Sequence, residues 1–264
     1  MRTAVIPAAG CGTRMHPATK AVPKELLPVG RQPALQWAID EALSVGIDHL
    51  VVVSSPRKPA IAEYLADLSA EGSIDVVYQQ VPAGLGDAVR IARDYLESES
   101  FAVLLPDEVL LGSGRLLSAM LDEHARTGRS NVGLLRVNRE EISSYGCAVV
   151  DDRRVSRSGV AVSGCVEKPA PSEAPSTFAL SGRYVLGPDV LSQLDFVAPG
   201  TFEEVQLTDA LDRAARRGGI DGSEVEPADG RFDVGNWDGW LAANVQLFSQ
   251  KESRPIVLDM SLAS

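Results

Sequence analysis

The chain predicts an α/β fold: a mostly parallel, mixed and twisted sheet with helices on both faces. Apolar runs of strand length alternate with segments of helical spacing through the first half. The first of these runs leads straight into a glycine-rich turn. With 264 residues and 45% hydrophobic content, the chain has enough apolar material for a packed core.

Taken in order, the strand-length runs are Thr3–Ala8, His49–Ser54, Ile74–Tyr78, Phe101–Leu105 and Asn131–Val137, each bounded by turn residues. Between them, Pro33–Val45, Pro59–Leu68, Leu85–Leu96 and Arg115–Arg126 space Leu, Ile, Val and Ala at helical intervals, with charges on the other face. The second half is less regular. Strand-like stretches at Ala148–Val150, Val162–Val166 and Ala179–Leu186 precede a helix from about Glu203 to Arg216, and Asn236–Phe248 reads as a final amphipathic helix. Pro169–Ser176 is a rigid surface loop, too short for a domain linker. One domain over 1–248 is expected, divided into halves of about 1–137 and 138–248, with a motif-free tail at 249–264. Ligands of such folds sit at the C-terminal ends of the strands, which puts Gly10, Gln79 and Asp107 on one rim.

The net charge of −11, with no lysine- or arginine-rich stripe, argues against a nucleic-acid partner. No apolar run reaches the ~20 residues that span a bilayer, and Thr3–Ala9 is too short for a signal segment, so neither a membrane nor export is expected. Cys11, Cys147 and Cys165 are odd in number and widely spaced, which disfavours a disulfide framework or a zinc site and suits a reducing cytoplasm. His49 and His124 fall at a helix-to-strand junction and on an amphipathic helix, and are expected to be structural or solvated.

Against this acidic background, residues 1–31 carry a local charge of +4, with Glu25 their one anion. Glycines at 10 and 12 let backbone N–H groups approach an anion, and Arg14, Lys20 and Lys24 neutralise what the backbone cannot. Gly10-Cys11-Gly12-Thr13-Arg14-Met15 lacks the third glycine of a dinucleotide fingerprint, and no Gly-Lys-Ser/Thr follows to make a Walker A loop. Cys11 suits a tight turn and has only His16 of the same loop for a partner, so it is not read as a nucleophile.

Gly10-x-Gly12-Thr13-Arg14 followed by Lys24-Glu25-Leu26-Leu27-Pro28 resembles the signature of the sugar-1-phosphate nucleotidylyltransferases. The stretch Pro17–Pro28 is most similar to the bacterial UTP:glucose-1-phosphate uridylyltransferases of that family. The resemblance resumes, in the family's order, at Gly84-Leu85-Gly86, Leu105-Pro106-Asp107, Tyr145-Gly146, Val166-Glu167-Lys168-Pro169, Gly182-Arg183-Tyr184, Glu204–Asp209 and Phe232–Asn236. It implies a Rossmann-like nucleotidyltransferase fold of the glycosyltransferase-A type. The reaction it implies is attack by a sugar-1-phosphate oxygen on the α-phosphorus of a nucleoside triphosphate, releasing pyrophosphate. An anionic nucleophile needs no general base, which agrees with the absence of a Ser-His arrangement.

The resemblance also implies roles. Arg14 would grip the β- and γ-phosphates, and Lys24 would sit beside the α-phosphate and its attacker. Asp107, at the end of an apolar strand, and Asp233 would hold Mg²⁺; Glu108 is disfavoured because successive strand residues face opposite ways. Gln79 would read the base, with backbone contacts from Ala8, Ala9 and Gly10, while Gly12, Thr13 and Gly84 complete the nucleotide side. Glu167 would accept sugar hydroxyls and Lys168 contact the sugar phosphate, with Gly146 and Gly182 leaving room for the ring. A homo-oligomer, dimer or tetramer, is implied as well.

Some residues depart from the family pattern. Ala83 stands where Lys is frequent, His16 replaces an apolar residue, and an insertion before Ile74 is short. UTP and glucose 1-phosphate are the favoured pair, and dTTP stays open as the donor. A non-catalytic sugar-nucleotide-binding regulator on the same fold is the alternative from another class.

Overall fold

The computed structural model describes residues 1–68, 73–96, 100–112, 114–156, 159–200 and 204–249. In the first half the strands are β1 (Thr3–Pro7), β2 (Pro28–Val29), β3 (Gln32–Pro33), β4 (His49–Ser54), β5 (Ser73–Tyr78), β6 (Phe101–Leu104), β7 (Glu108–Leu110) and β8 (Asn131–Arg136). The helices among them are α1 (Ala34–Ser44), α2 (Pro59–Ala66), α3 (Leu85–Ala92) and α4 (Arg115–Thr127). The second half adds β9 (Gly146–Ser156), β10 (Gly159–Glu167), β11 (Phe178–Leu186), α5 (Pro188–Gln193), α6 (Leu207–Gly218), β12 (Ile220–Glu224), β13 (Arg231–Asp233) and α7 (Trp237–Ser249).

Among the described residues, nine strands form one sheet in the order β5-β4-β1-β6-β11-β8-β12-β10-β9. The quartet β5-β4-β1-β6 is parallel throughout, so the C-terminal ends of its strands open on one rim. Strand β11 joins β6 antiparallel, and the rest of the sheet is antiparallel except for the parallel pair β8–β12. Two short ribbons stand apart from the sheet, β7–β13 and β2–β3.

Side chains alternate between two buried faces along β1, β4 and β6, as the pleat requires. Val5, Val51, Val53, Phe101 and Val103 face one core with Ala88 and Val89 of α3 and Ala210, Leu211 and Ala214 of α6. Ala4, Ile6, Leu50, Val52, Ala102 and Leu104 face the other with Leu35 and Ile39 of α1, Ile61 of α2 and Leu117 and Met120 of α4. This is the two-sided helical cover that continuous apolar strands predict.

The expected elements of the first half are all present, with ends shifted by a few residues; Arg93–Tyr95 is a short 3₁₀ turn rather than the end of α3. The helix expected from Glu203 begins at Leu207 in the structure; Glu203 itself and the tail from residue 250 lie outside the described residues. Strand β12, Ile-Asp-Gly-Ser-Glu, carries no apolar run, yet it lies between β8 and β10. A Cβ at Gly222 would stand 2.4 Å from Leu134 Cδ1, so the glycine is what lets this strand in.

The expectation that helix charges face outward is corrected at three places. Glu41 of α1, Asp87 of α3 and Glu123 of α4 are buried. Each has a cationic or amide partner: Arg183 for Glu41, Gln79 and Arg90 for Asp87, Arg126 for Glu123. Arg183 of β11 is fully buried. Its Nε donates to both Glu41 oxygens at 3.0 Å and its Nη2 to Glu41 Oε2 at 2.6 Å. Its other hydrogen bonds run to Leu105 O at 3.1 Å, Gly182 O at 3.3 Å and Glu108 O at 2.9 Å.

Among the described residues no helix is long and apolar enough to cross a membrane. Arg183→Met strands the buried Glu41 carboxylate and is expected to cost about 3–5 kcal/mol of stability in urea unfolding. Glu41→Gln, which leaves the buried guanidinium without its carboxylate and turns an amide NH₂ toward it, is expected to cost a similar amount. A loss below about 1 kcal/mol for Arg183→Met, no more than a surface pair gives, would show that the pair does not hold the sheet to α1.

Candidate active site

Strand β1 continues beyond Pro7 for one more ladder bond, Ala8 N–H to Val53 O at 2.7 Å, and Ala8 and Ala9 are buried. The chain then turns at Gly12, whose φ of 67° is the left-handed conformation that suits glycine. Thr19 Oγ1 donates to Gly12 O at 2.8 Å, and buried Met15 anchors the short turn Thr13–Met15. Gly10 remains exposed, with nothing near the position of a Cβ. Arg14, largely exposed, reaches Asp107 Oδ2 at 3.7 Å and Asp233 Oδ2 at 3.8 Å.

The turn Lys24–Leu26 is held from below by Glu25, which is buried and paired with Lys58 Nζ at 2.8 Å. Lys58 Nζ also donates to Ala8 O at 2.8 Å, tying this turn to the end of β1. Burial pushes the Glu25 carboxyl above the ordinary range, against the pull of Lys58 and Lys24. Lys24 Nζ contacts Asp107 Oδ2 directly. Burial lowers the Lys24 ammonium, but Asp107 and Glu25 outweigh it and hold the group above its usual value. Burial likewise raises the Asp107 carboxyl, and Lys24 and Arg14 overcome it and hold it below the carboxylate range.

Asp107 follows the turn after β6, where Leu105 N–H bonds Gly182 O at 2.9 Å and Arg183 caps Leu105 O and Glu108 O. Ribbon β7–β13 pairs Glu108 with Asp233, which brings Asp233 beside Asp107, and Val234 N–H closes on Asp107 O at 2.8 Å. A Cβ on Gly235 would stand 2.9 Å from Asp107 Oδ2, 3.1 Å from Asp233 Oδ1 and 3.1 Å from Arg14 Nη2. A side chain at 235 would therefore crowd both carboxylates, and Asp233 Oδ1 accepts Gly235 N–H at 3.0 Å. Among the described residues no three His, Cys, Asp or Glu side chains gather as a metal cage, so the donor set here is two carboxylates. That set fits Mg²⁺, which takes one or two carboxylates and fills its other positions with water and phosphate oxygens.

Beside the two aspartates lies a cleft of about 190 Å³, walled by Tyr145, Gly146, Glu167, Gly182 and Thr208. Thr208 Oγ1 donates to Glu167 Oε2 at 2.6 Å. A Cβ at Gly146 would meet Leu180 Cδ1 at 2.9 Å, Thr208 Oγ1 at 3.0 Å and Glu167 Oε2 at 3.3 Å, so a side chain there would intrude on this pair. Gly182 serves packing as well: its Cβ would stand 2.9 Å from Leu105 Cβ. Lys168, with its side chain mostly exposed, sits 3.5 Å from Glu167 Oε1 and has a φ of 43°. Among the described residues it is the one non-glycine with positive φ, a strained backbone of the kind that collects at functional sites.

On the far side of the rim, Gln79 follows β5 and is buried. Its amide NH₂ donates to Asp87 Oδ2 at 2.8 Å and to Gly84 O at 3.2 Å, which fixes the amide orientation because both partners only accept. Gly84, with φ 94°, and Gly86 let the backbone at Val205 approach: a Cβ on either would lie 2.6 Å and 2.8 Å from Val205 O.

The structure thus brings Arg14, Lys24, Asp107 and Asp233 into one cluster, with Gly146, Glu167 and Gly182 on the adjoining cleft and Lys168 against Glu167. Gln79 and Gly84 stand together at a second position along the rim. Three residues to which the sequence assigned no role belong to this architecture: Lys58, Thr208 and Arg231. Arg231 had a local signal, since it lies two residues before Asp233 and so on the same face of a strand. Lys58 had none; its partner Glu25 is 33 residues away. Lys168→Gly and Lys168→Ala both remove the ammonium and differ at Cβ, so the glycine variant is expected to be the more stable by about 1 kcal/mol in thermal unfolding. Equal stability of the two would mean that the backbone at 168 is not strained.

The profile of the family described as nucleotidyl transferase matches residues 3–250. The chain is 34% identical to UTP–glucose-1-phosphate uridylyltransferase of Streptococcus pneumoniae serotype 4, over 93% of this chain and 89% of the relative. It is 35% identical to a UTP–glucose-1-phosphate uridylyltransferase of Bacillus subtilis, over 94% and 89%. The crystal structure of UDP-glucose pyrophosphorylase complexed with UDP-glucose superposes with a TM-score of 0.88 at 29% identity, covering 95% of this chain and 100% of that one. The UTP-bound enzyme from Acinetobacter baumannii does so with a TM-score of 0.80 at 28% identity, covering 97% and 95%. The mixed sheet with helices on both faces is that of an α/β nucleotidyltransferase, and the chain belongs to the nucleotidyl transferase family.

Proposed function

We propose that this chain joins UTP and glucose 1-phosphate to give UDP-glucose and pyrophosphate, in a Mg²⁺-dependent reaction. The observation that carries the reading is the convergence of Arg14, Lys24, Asp107 and Asp233 on the rim beside the cleft of Gly146 and Glu167. A phosphate oxygen of the sugar phosphate attacks the α-phosphorus, the bond from that phosphorus to the bridging oxygen breaks, and pyrophosphate leaves with the electron pair. Mg²⁺, when bound to Asp107 and Asp233, supplies charge neutralisation to the phosphates.

The chain's own part is to hold two polyanions in line. Arg14, mostly exposed and already aligned by two carboxylates, is free to swing onto the β- and γ-phosphates. Lys24 is the cation next to the α-phosphate, its ammonium kept charged by Asp107 and Glu25. Ala8, Ala9, Gly10, Gly12 and Thr13 line the approach of the nucleotide. Gln79, with its NH₂ spent on Asp87 and Gly84 O, has its carbonyl oxygen to offer, which suits the N–H edge of a pyrimidine such as uracil or thymine. Glu167, steadied by Thr208, accepts sugar hydroxyls, and Lys168 meets the sugar phosphate. A homo-oligomer and a cytoplasmic location belong to the same reading. Exposed Trp237, Leu241, Val245 and Phe248 along α7 support the first, and the odd, scattered cysteines of the sequence support the second.

The test is pyrophosphate release with purified protein and Mg²⁺, crossing five nucleoside triphosphates with a panel of sugar 1-phosphates. UTP with glucose 1-phosphate is expected to dominate; preference for dTTP would reassign the base. Silence across the panel with nucleotide still bound would favour the regulatory alternative. Lys24→Met is expected to lower kcat/KM by about 10³-fold with its fold retained by circular dichroism; turnover near that of the parent would remove Lys24 from the reaction. Gly146→Ala, which crowds the Glu167–Thr208 pair, is expected to lower turnover with glucose 1-phosphate by up to about 100-fold with UTP binding unchanged.

A further inference from the structure

Of the two metal carboxylates, Asp233 lies on the β7–β13 ribbon and Asp107 immediately precedes it. Strands β7 and β13 have three residues each and lie outside the nine-stranded sheet. A two-stranded ribbon of that length has little stability of its own. Asp107 and Asp233 also repel each other, and Arg14, at 3.7 and 3.8 Å and largely exposed, is a loose clamp on them.

Besides the apolar packing of Val109, Val234 and Phe232 and the Arg183 bond to Glu108 O, the ribbon is tied to the sheet by the carboxylate of Glu108. It is buried and accepts four hydrogen bonds. Oε1 takes Ser181 Oγ at 2.6 Å and Gly182 N–H at 2.9 Å, both from β11. Oε2 takes Arg231 Nε at 2.9 Å and Nη2 at 2.7 Å, from β13. One side chain thereby joins β7, β11 and β13. Each strand of the ribbon carries one member of the pair: Glu108 follows Asp107 and pairs across the ribbon with Asp233, and Arg231 lies two residues before Asp233 on the same strand face.

We propose that the Glu108–Arg231 pair is a positioning device for metal binding, setting the separation and aim of Asp107 and Asp233 through the β7–β13 ribbon. The inference rests on the reading of those two aspartates as metal ligands. It assigns neither Glu108 nor Arg231 to the metal itself, since every lone-pair direction of the Glu108 carboxylate is already engaged. It also explains why a charged pair occupies a place that packing alone could fill. Four donors converge on two oxygens, and only a carboxylate accepts them all: a glutamine amide would turn its NH₂ against either Arg231 or the β11 donors. Arg231 is equally specific, because two N–H groups of one planar fork reach a single oxygen and an ammonium would supply one.

The experiment measures Mn²⁺ binding by electron paramagnetic resonance with α,β-methylene-UTP at saturation, for the parent protein and for Arg231→Met, Arg231→Lys and Glu108→Gln. Urea midpoints and separate kcat and KM values are measured on the same samples. Removing a group that orients metal ligands is expected to weaken Mn²⁺ by about 10- to 100-fold in Arg231→Met, with Arg231→Lys between it and the parent. In the same variant kcat should fall while KM for glucose 1-phosphate stays within twofold. If Glu108→Gln fails to fold, the two Arg231 variants carry the test alone.

A folded Arg231→Met with parental Mn²⁺ affinity would overturn the proposal, as would a loss confined to KM for glucose 1-phosphate, which would make Arg231 a sugar contact. The parent protein separates this from the broader reading. Tight Mn²⁺ binding that falls in Arg231→Met supports the positioning role even where no uridylyl transfer is found. A parent that binds no Mn²⁺ with the nucleotide overturns both the metal assignment and the inference built on it.

Discussion

The site depends on a guanidinium that never meets solvent. Arg183 spans the gap between α1, through Glu41, and the turn that follows β6, through Leu105 O and Glu108 O. Burying an ion pair costs desolvation on both partners, and a well-packed apolar pair would often be as stable. An apolar pair could not donate to two carbonyls, though. The turn at 105–108 has to leave the sheet sharply to present Asp107 on the rim; Leu105 O also accepts Glu108 N–H at 3.2 Å, and the guanidinium adds a second donor there and one for Glu108 O. Burial alone would lower the Arg183 charge, and Glu41 more than restores it. The charge is thus kept where the geometry needs it.

Around that anchor, the rim is built as alternating charge. Lys58 neutralises buried Glu25 beneath the Lys24 turn, Lys24 and Arg14 face Asp107 and Asp233, and Arg231 engages Glu108 under them. Lys24 is held directly by the Asp107 carboxylate, whereas Arg14 is only loosely aligned, at 3.7 and 3.8 Å from Asp107 and Asp233. The overall charge of −11 says nothing of this, because the field inside a cleft is set by the nearest groups.

The parallel half of the sheet was legible because parallel strands are covered on both faces and must be continuously apolar, as Leu50–Val53 and Phe101–Leu104 are. Strand β12 was not, since its acceptance into the sheet rests on Gly222 and on a polar pairing of Ser223 with Asn131. The ribbons β2–β3 and β7–β13 are too short to show a period. At the site, Gly10, Gly12, Arg14 and Lys24 stood out because glycine and cations coincide within one loop; Asp107 stood out at the end of an apolar strand, and Asp233 came only with the resemblance. Glu41, Asp87 and Glu123 were misread as solvent-facing: a charge on a helix looks alike from its own neighbours whether or not a distant partner buries it.

By itself, the sequence determined the order of the five apolar strands and four helices of the first half, the gathering of glycines and cations in the first loop, and the family. Those features have local causes: apolar runs, helical spacing, and glycines beside cations. Which charges meet was decided only in three dimensions. The pairs Lys24–Asp107, Arg231–Glu108 and Arg183–Glu41 join residues 83, 123 and 142 positions apart. Hydrogen bonds at such separations leave no periodic trace along the chain, because their partners are brought together by sheet register and helix packing and not by neighbouring residues.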